Sequence, residues 1–153
     1  MNPVSIFTSG LYWHRTVAGP QFMPEARYTV VWFFPSGTFR HIFCWPGYTW
    51  FTAAGRWLKN GDRVELKGQS SAFTDDLSDN HRDRPYSHSF TVSPDGQSLI
   101  STDSSKDQLV RLSPEQLGAL FSLETEQVPT CWQDFHTLML RIEKQLGITE
   151  SMG

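Results

Sequence analysis

Two histidines set among aromatic side chains are the residues best placed to do chemistry. His14 follows Tyr12 by two positions, and His41 lies two positions from both Phe39 and Phe43. Residues two apart on a strand share a face, so each imidazole is carried among rings. There it can hydrogen-bond a ligand carbonyl or exchange a proton near neutral pH. The plain alternative for each is a core histidine satisfied by a neighbour's backbone or hydroxyl. No nucleophile motif accompanies them: there is no Gly-x-Ser-x-Gly elbow and no phosphate loop, and the glycines mark turns. Cys44 falls on the strand face opposite His41, beyond its reach as an activating base. An enzyme built from these parts would hold a substrate in a reactive conformation while Tyr12, His14 or His41 handled one proton. Cofactor-independent cyclases and isomerases can work this way, through proximity and orientation.

The elements that must carry these residues are strands. Residues 27–34 are rich in β-branched and aromatic types, Pro35-Ser36-Gly37 turns the chain, and Thr38–Trp45 returns. Residues 48–58 and 63–68 flank Asn60-Gly61, a strong hairpin signal. Residues 87–93 and 98–102 flank Pro94-Asp95-Gly96. With 11–18 before and 108–112 after, this makes about eight short strands. Their simple hairpin succession favours an antiparallel up-and-down barrel. Ser113-Pro114-Glu115-Gln116 then opens a short helix, expected to reach about Phe121. From Trp132, the apolar positions Phe135, Leu138, Met139, Ile142 and Leu146 recur at helical spacing until Gly147 stops the run. This amphipathic helix is expected to pack outside the barrel.

Pairing Phe34 with Thr38 across the first turn puts Val31, Phe33, Phe39, His41 and Phe43 on one face. The other face holds Tyr28, Val30, Trp32, Ile42 and Cys44. Both are apolar, so one lines the interior while the other lies under the C-terminal helix or a second subunit. In the next hairpin Gly55, Trp57, Val64 and Leu66 share a face, against Arg56, Arg63, Glu65 and Lys67, so Trp57 points inward. Residues 69–85 have no periodicity and read as one long loop, either mobile or functional. Within it Asp75, Asp76, Asp79, His81 and Asp83 offer oxygen and nitrogen donors, but their spacing matches no EF-hand. Arg82 and Arg84 nearly neutralise the segment. It reads as a solvated loop, with a lid over the barrel mouth as the alternative, and no metal site is expected.

Composition bounds the function classes. The chain has 153 residues, thirteen Lys and Arg against sixteen Asp and Glu, and a net charge of −3. That length makes one domain over 1–153, with the barrel at about 8–112 and the helical tail at about 113–147. Fifteen of the twenty-one aromatic residues fall in the first sixty positions, which excludes disorder. No run approaches the roughly eighteen apolar residues of a membrane helix. The start lacks a basic segment followed by an apolar one, so a cytoplasmic location is expected, with Cys44 and Cys131 as free thiols and a single bridge as the alternative. Arg15, Arg27, Arg40 and Arg56 lie among aromatics as in single-strand binders. Four lysines and a negative net charge argue against a nucleic-acid partner.

Gly10-Leu11-Tyr12-Trp13 at the first strand, residues 28–34 followed by Pro35-Ser36-Gly37-Thr38-Phe39, and Gly55-Arg56-Trp57 leading into Asn60-Gly61-Asp62 resemble the lipocalin-like (calycin) small β-barrels. So does a helix after the last strand. The lipocalin signature has Gly-x-Trp at the first strand; here Tyr12 takes that position and Trp13 follows. The resemblance implies a cavity for a small, mostly apolar ligand, and an Arg near the barrel end against the first-strand Trp, a place that Arg111 could take. The expected ligand set is Tyr12, His14, Phe33, Phe39, His41, Phe43 and Trp57, binding a small hydrophobic or aromatic molecule without a cofactor. Two other classes compete: the enzyme above, and an interaction or inhibitor module with a filled barrel and an exposed aromatic face. No membrane partner is expected, and the two-faced first hairpin leaves room for a homodimer.

Overall fold

Period-two side-chain alternation in β-branched and aromatic segments produces strands that can bury one face inside a curved sheet. A computed structural model describes residues 10–18, 25–45, 49–74, 80–102, 108–117 and 128–147. They form β1 (Gly10–Ala18), β2 (Glu25–Phe33), β3 (Thr38–Trp45), β4 (Thr49–Asn60), β5 (Arg63–Thr74), β6 (His81–Val92), β7 (Ser98–Ser101) and β8 (Gln108–Leu112), then helices α1 (Pro114–Leu117) and α2 (Trp132–Leu146). Consecutive strands pair antiparallel and β8 returns to β1, closing an up-and-down barrel. This is the architecture of calycin-like folds in general. Among the described residues no helix is long and apolar enough to cross a membrane.

The first turn sets the register expected of it. The Phe34 N–H donates to the Thr38 carbonyl at 2.9 Å, which places Phe33 opposite Phe39 and Val31 opposite His41. The next hairpin turns one residue later than its Asn-Gly signal suggests: Asn60 pairs Arg63, and Gly61-Asp62 form the two-residue loop. Gly61 carries a φ of 65° and Asp62 does not share it, the arrangement of a loop with glycine at its first central position.

Residues 69–74 and 81–85 are strand rather than loop. β5 continues to Thr74 and β6 begins at His81, paired from Ser70↔Arg84 to Val64↔Phe90, with a bulge between Ser70 and Ala72. The polar composition misleads here because small side chains face inward at Ser70 and Ala72, both buried. Pro85 is tolerated because, among the described residues, the β6–β7 ladder runs over Phe90–Val92 and not over Pro85, so no ladder bond on that side calls for its missing N–H. The lid and solvated-loop readings therefore lose most of their segment. Asp75, Asp76 and Asp79 lie outside the described residues. Helix α1 is capped by reciprocal bonds between Ser113 and Gln116; its expected extension to Phe121 also lies outside them.

Two apolar clusters sit on opposite sides of the strands. The outer one joins Tyr28, Val30, Trp32, Ile42, Cys44 and Trp50 to Phe135, Leu138, Met139 and Ile142 of α2. The helix thus covers the second apolar face of the first hairpin. A buried ion pair pins it: Arg15 Nε donates to Glu143 at 2.9 Å, and the Tyr28 hydroxyl donates to the same carboxylate at 2.8 Å. Burial, and then the Glu143 contact, raise the Tyr28 pKa. Arg15 is accordingly committed to structure rather than presented for phosphate. Both cysteines are free thiols, so the alternative of a bridge is set aside. Burial pushes the Cys44 thiol up to about 12, which leaves it inert.

Candidate functional site: the barrel interior

The inner cluster contains Tyr12, Val31, Phe33, Phe39, Ala53, Val64, Leu66, Phe90, Val92, Leu99 and Leu109, with Phe51, Trp57 and Tyr86 packed on it. One end, where the tight turns lie, is plugged. The Tyr12 hydroxyl donates to the Gly96 carbonyl at 2.6 Å, and its ring meets Phe33 edge-on at 5.7 Å. Phe33 in turn meets Trp57 edge-on at 5.8 Å, and the Trp57 indole donates to the Phe34 carbonyl. Burial pushes the Tyr12 phenol up to about 12. Arg111 pairs Tyr12 across β8 and β1 and packs its guanidinium at Gly10.

Beyond that plug the interior becomes polar. His41 shares a 2.7 Å hydrogen bond between Nδ1 and the Tyr86 hydroxyl, and its ring lies near those of Phe51, Tyr86 and His88. His88 reaches the Ser101 hydroxyl at 3.0 Å. Further along, His81 meets the Ser70 hydroxyl at 3.1 Å. The His41 ring is half-buried, yet its Nε2 is enclosed and has no hydrogen-bond partner among the described residues. Burial, and secondarily the neighbouring His88, press its pKa down to about 3. A neutral imidazole of such low basicity is a poor proton acceptor at neutral pH, but it remains a competent hydrogen-bonding group.

A glycine pair makes room for this arrangement. Phe39 pairs Gly55, Gly55 pairs Gly68, and Gly68 pairs Tyr86, so two bare positions separate two aromatic ones across four strands. The rings of Phe39 and Tyr86 meet over the gap with centroids 6.0 Å apart. A Cβ on Gly55 would overlap the Lys67 carbonyl, and one on Gly68 the Ala54 carbonyl. Strands this close admit glycine alone.

Of the residues expected in the site, Tyr12, Phe33 and Trp57 come together in the plug, Phe39 meets Tyr86, and His41 stands beyond the plug. His14 is spent on the Gln108 carbonyl at 3.0 Å rather than joined to His41. Phe43 is half-buried, paired with Phe51 across β3 and β4. The proposed proton handlers Tyr12, His14 and His41 therefore bond three separate partners. Sequence reasoning passed over Tyr86, His88, Phe51 and Ser101. The alternation Tyr86, His88, Phe90, Val92 is the signal that could have found the first two. Among the described residues, no three His, Cys, Asp or Glu side chains group as a metal site.

The low pKa of His41 has a measurable consequence. Its folded value lies below the ordinary 6.5 or so, so between those values the unfolded chain binds the extra proton. The stability associated with His41 is whole above about pH 6.5 and is lost as pH falls toward about 3, at up to about 1.4 kcal/mol per pH unit. Urea midpoints across that range should show the wild type losing stability relative to His41→Phe. A constant difference between the two would mean that His41 is not held neutral by burial.

The chain matches no protein-family model, no curated protein and no solved structure.

Proposed function

We propose that this lipocalin-like barrel binds a small hydrophobic or aromatic molecule in its interior, against the wall formed by His41, Phe51, Tyr86 and His88. The observation that carries this reading is the enclosed His41 Nε2, which has no partner among the described residues while Nδ1 is held by Tyr86. A buried polar group left unsatisfied costs about 1–3 kcal/mol, and a ligand that bonds to it recovers that cost. Ligand sites typically combine apolar walls with a few placed polar groups, as this interior does. A cyclase or isomerase in the same place would need His41 to exchange a proton near neutral pH. Its value near 3 favours binding over that chemistry.

Native mass spectrometry of the full chain, as purified and after incubation with a mixture of neutral aromatic compounds, tests the reading. A one-to-one complex is expected, weakened at least tenfold in Tyr86→Ala while circular dichroism retains the barrel. If the chain carries only its own mass throughout, the interior is merely packed and the reading fails.

A further inference from the structure

We infer that the occupant of the barrel is an uncharged aromatic alcohol whose hydroxyl meets His41 Nε2, an inference that rests on the binding reading above. The Tyr86 hydroxyl at 2.7 Å occupies Nδ1, so the imidazole is fixed in orientation with Nε2 as its remaining polar atom. If Tyr86 donates to Nδ1, Nε2 carries the proton and needs an acceptor. If Nδ1 donates to Tyr86, Nε2 is bare and needs a donor. A hydroxyl serves either tautomer, whereas a carbonyl serves one and a hydrocarbon neither.

Charge narrows the class further. The rings around His41 are Phe51, Tyr86 and His88, and its cross-strand neighbours are Val31 and Ala53. None of these is a permanent cation, and burial keeps His41 itself neutral. A carboxylate entering here would lose its water without gaining an opposite charge, the costly case for a buried ion. The aromatic part of the ligand is specified by the same neighbours. Phe51 and Tyr86 stand roughly edge-on to His41, at 76° and 67°. They present ring edges and faces of the kind that aromatic pairs exploit.

Isothermal titration of the full chain with naphthol, naphthoate and naphthalene tests the inference, since the three share one ring system and differ in the group offered to Nε2. At neutral pH naphthol is expected to bind at least tenfold more tightly than either of the others. His41→Phe keeps a ring in place and should erase the advantage of naphthol over naphthalene while naphthalene binding survives. Tyr86→Phe keeps every ring, frees Nδ1, and should shrink that advantage several-fold. Naphthoate binding as tightly as naphthol, or an advantage that persists in His41→Phe, overturns the inference alone. If none of the three saturates, the binding reading fails and the inference goes with it.

Discussion

Gly68→Ala is expected to cost the barrel about 3 kcal/mol or more, the upper part of the range for overpacking. The added methyl would meet the Ala54 carbonyl and the Gly55 Cα, which are backbone atoms that no rotamer change can move aside. Relief requires β4 and β5 to separate where Gly55 and Gly68 pair, in the middle of the long hairpin that curves the barrel. That separation also pulls Tyr86 away from Phe39 and disturbs the His41 bond, so stability and ligand binding should fall together. Gly61→Ala is the control. Gly61 has open space around it and only its φ of 65° to defend, so alanine there costs about 1–2 kcal/mol. Equal shifts in urea midpoint for the two variants would mean that the close strand approach is not what Gly68 provides.

Phe135→Ala should be comparably damaging, at about 3–5 kcal/mol out of a total that for most domains is only about 5–15. Its side chain is fully buried and meets Tyr28, Trp32 and Trp50 roughly edge-on, at 6.2, 6.1 and 5.7 Å. Truncation leaves a void between α2 and the outer strand face, and it loosens the helix that brings Glu143 to Arg15 and Tyr28. Leu140→Ala, on the exposed side of the same helix, should change stability by no more than about 0.5 kcal/mol. Equilibrium urea unfolding distinguishes the two. A loss below about 1 kcal/mol for Phe135→Ala would make the helix an accessory rather than half of the outer core.

Much of this architecture was legible in the chain because the deciding signals are local. Tight turns marked the hairpins, period-two alternation divided Phe33, Phe39 and His41 from Trp32, Ile42 and Cys44, and the 3.6-residue period of α2 exposed its apolar face. The outer face of the first hairpin was apolar enough to require a cover, and α2 supplies it. Residues 69–74 and 81–85 do not read as strands because their strand character comes from pairing with neighbours rather than from their own composition. Ser70, Ala72 and Pro85 are poor strand formers that the barrel recruits. That error hid Tyr86, which stands next to Pro85, and with it the partner of His41. His14 looked equivalent to His41 in its spacing from aromatic residues. Only the three-dimensional register separates a ring bonded to the Gln108 carbonyl from one whose second nitrogen is enclosed without a partner.

The interior thus divides into an aromatic plug built around Tyr12, Phe33 and Trp57 and a polar wall built around His41. The plug closes the tight-turn end, and the wall offers one oriented hydrogen-bonding atom among rings. The central claim is that a ligand meets this atom. Nitrogen-15 NMR of the histidine side chains, recorded while naphthol is titrated into the full chain, addresses it most directly. The His41 Nε2 resonance should shift with saturation, while the side-chain resonances of His136, on α2 outside the barrel, stay in place. Saturable binding that leaves His41 Nε2 unmoved would contradict the account.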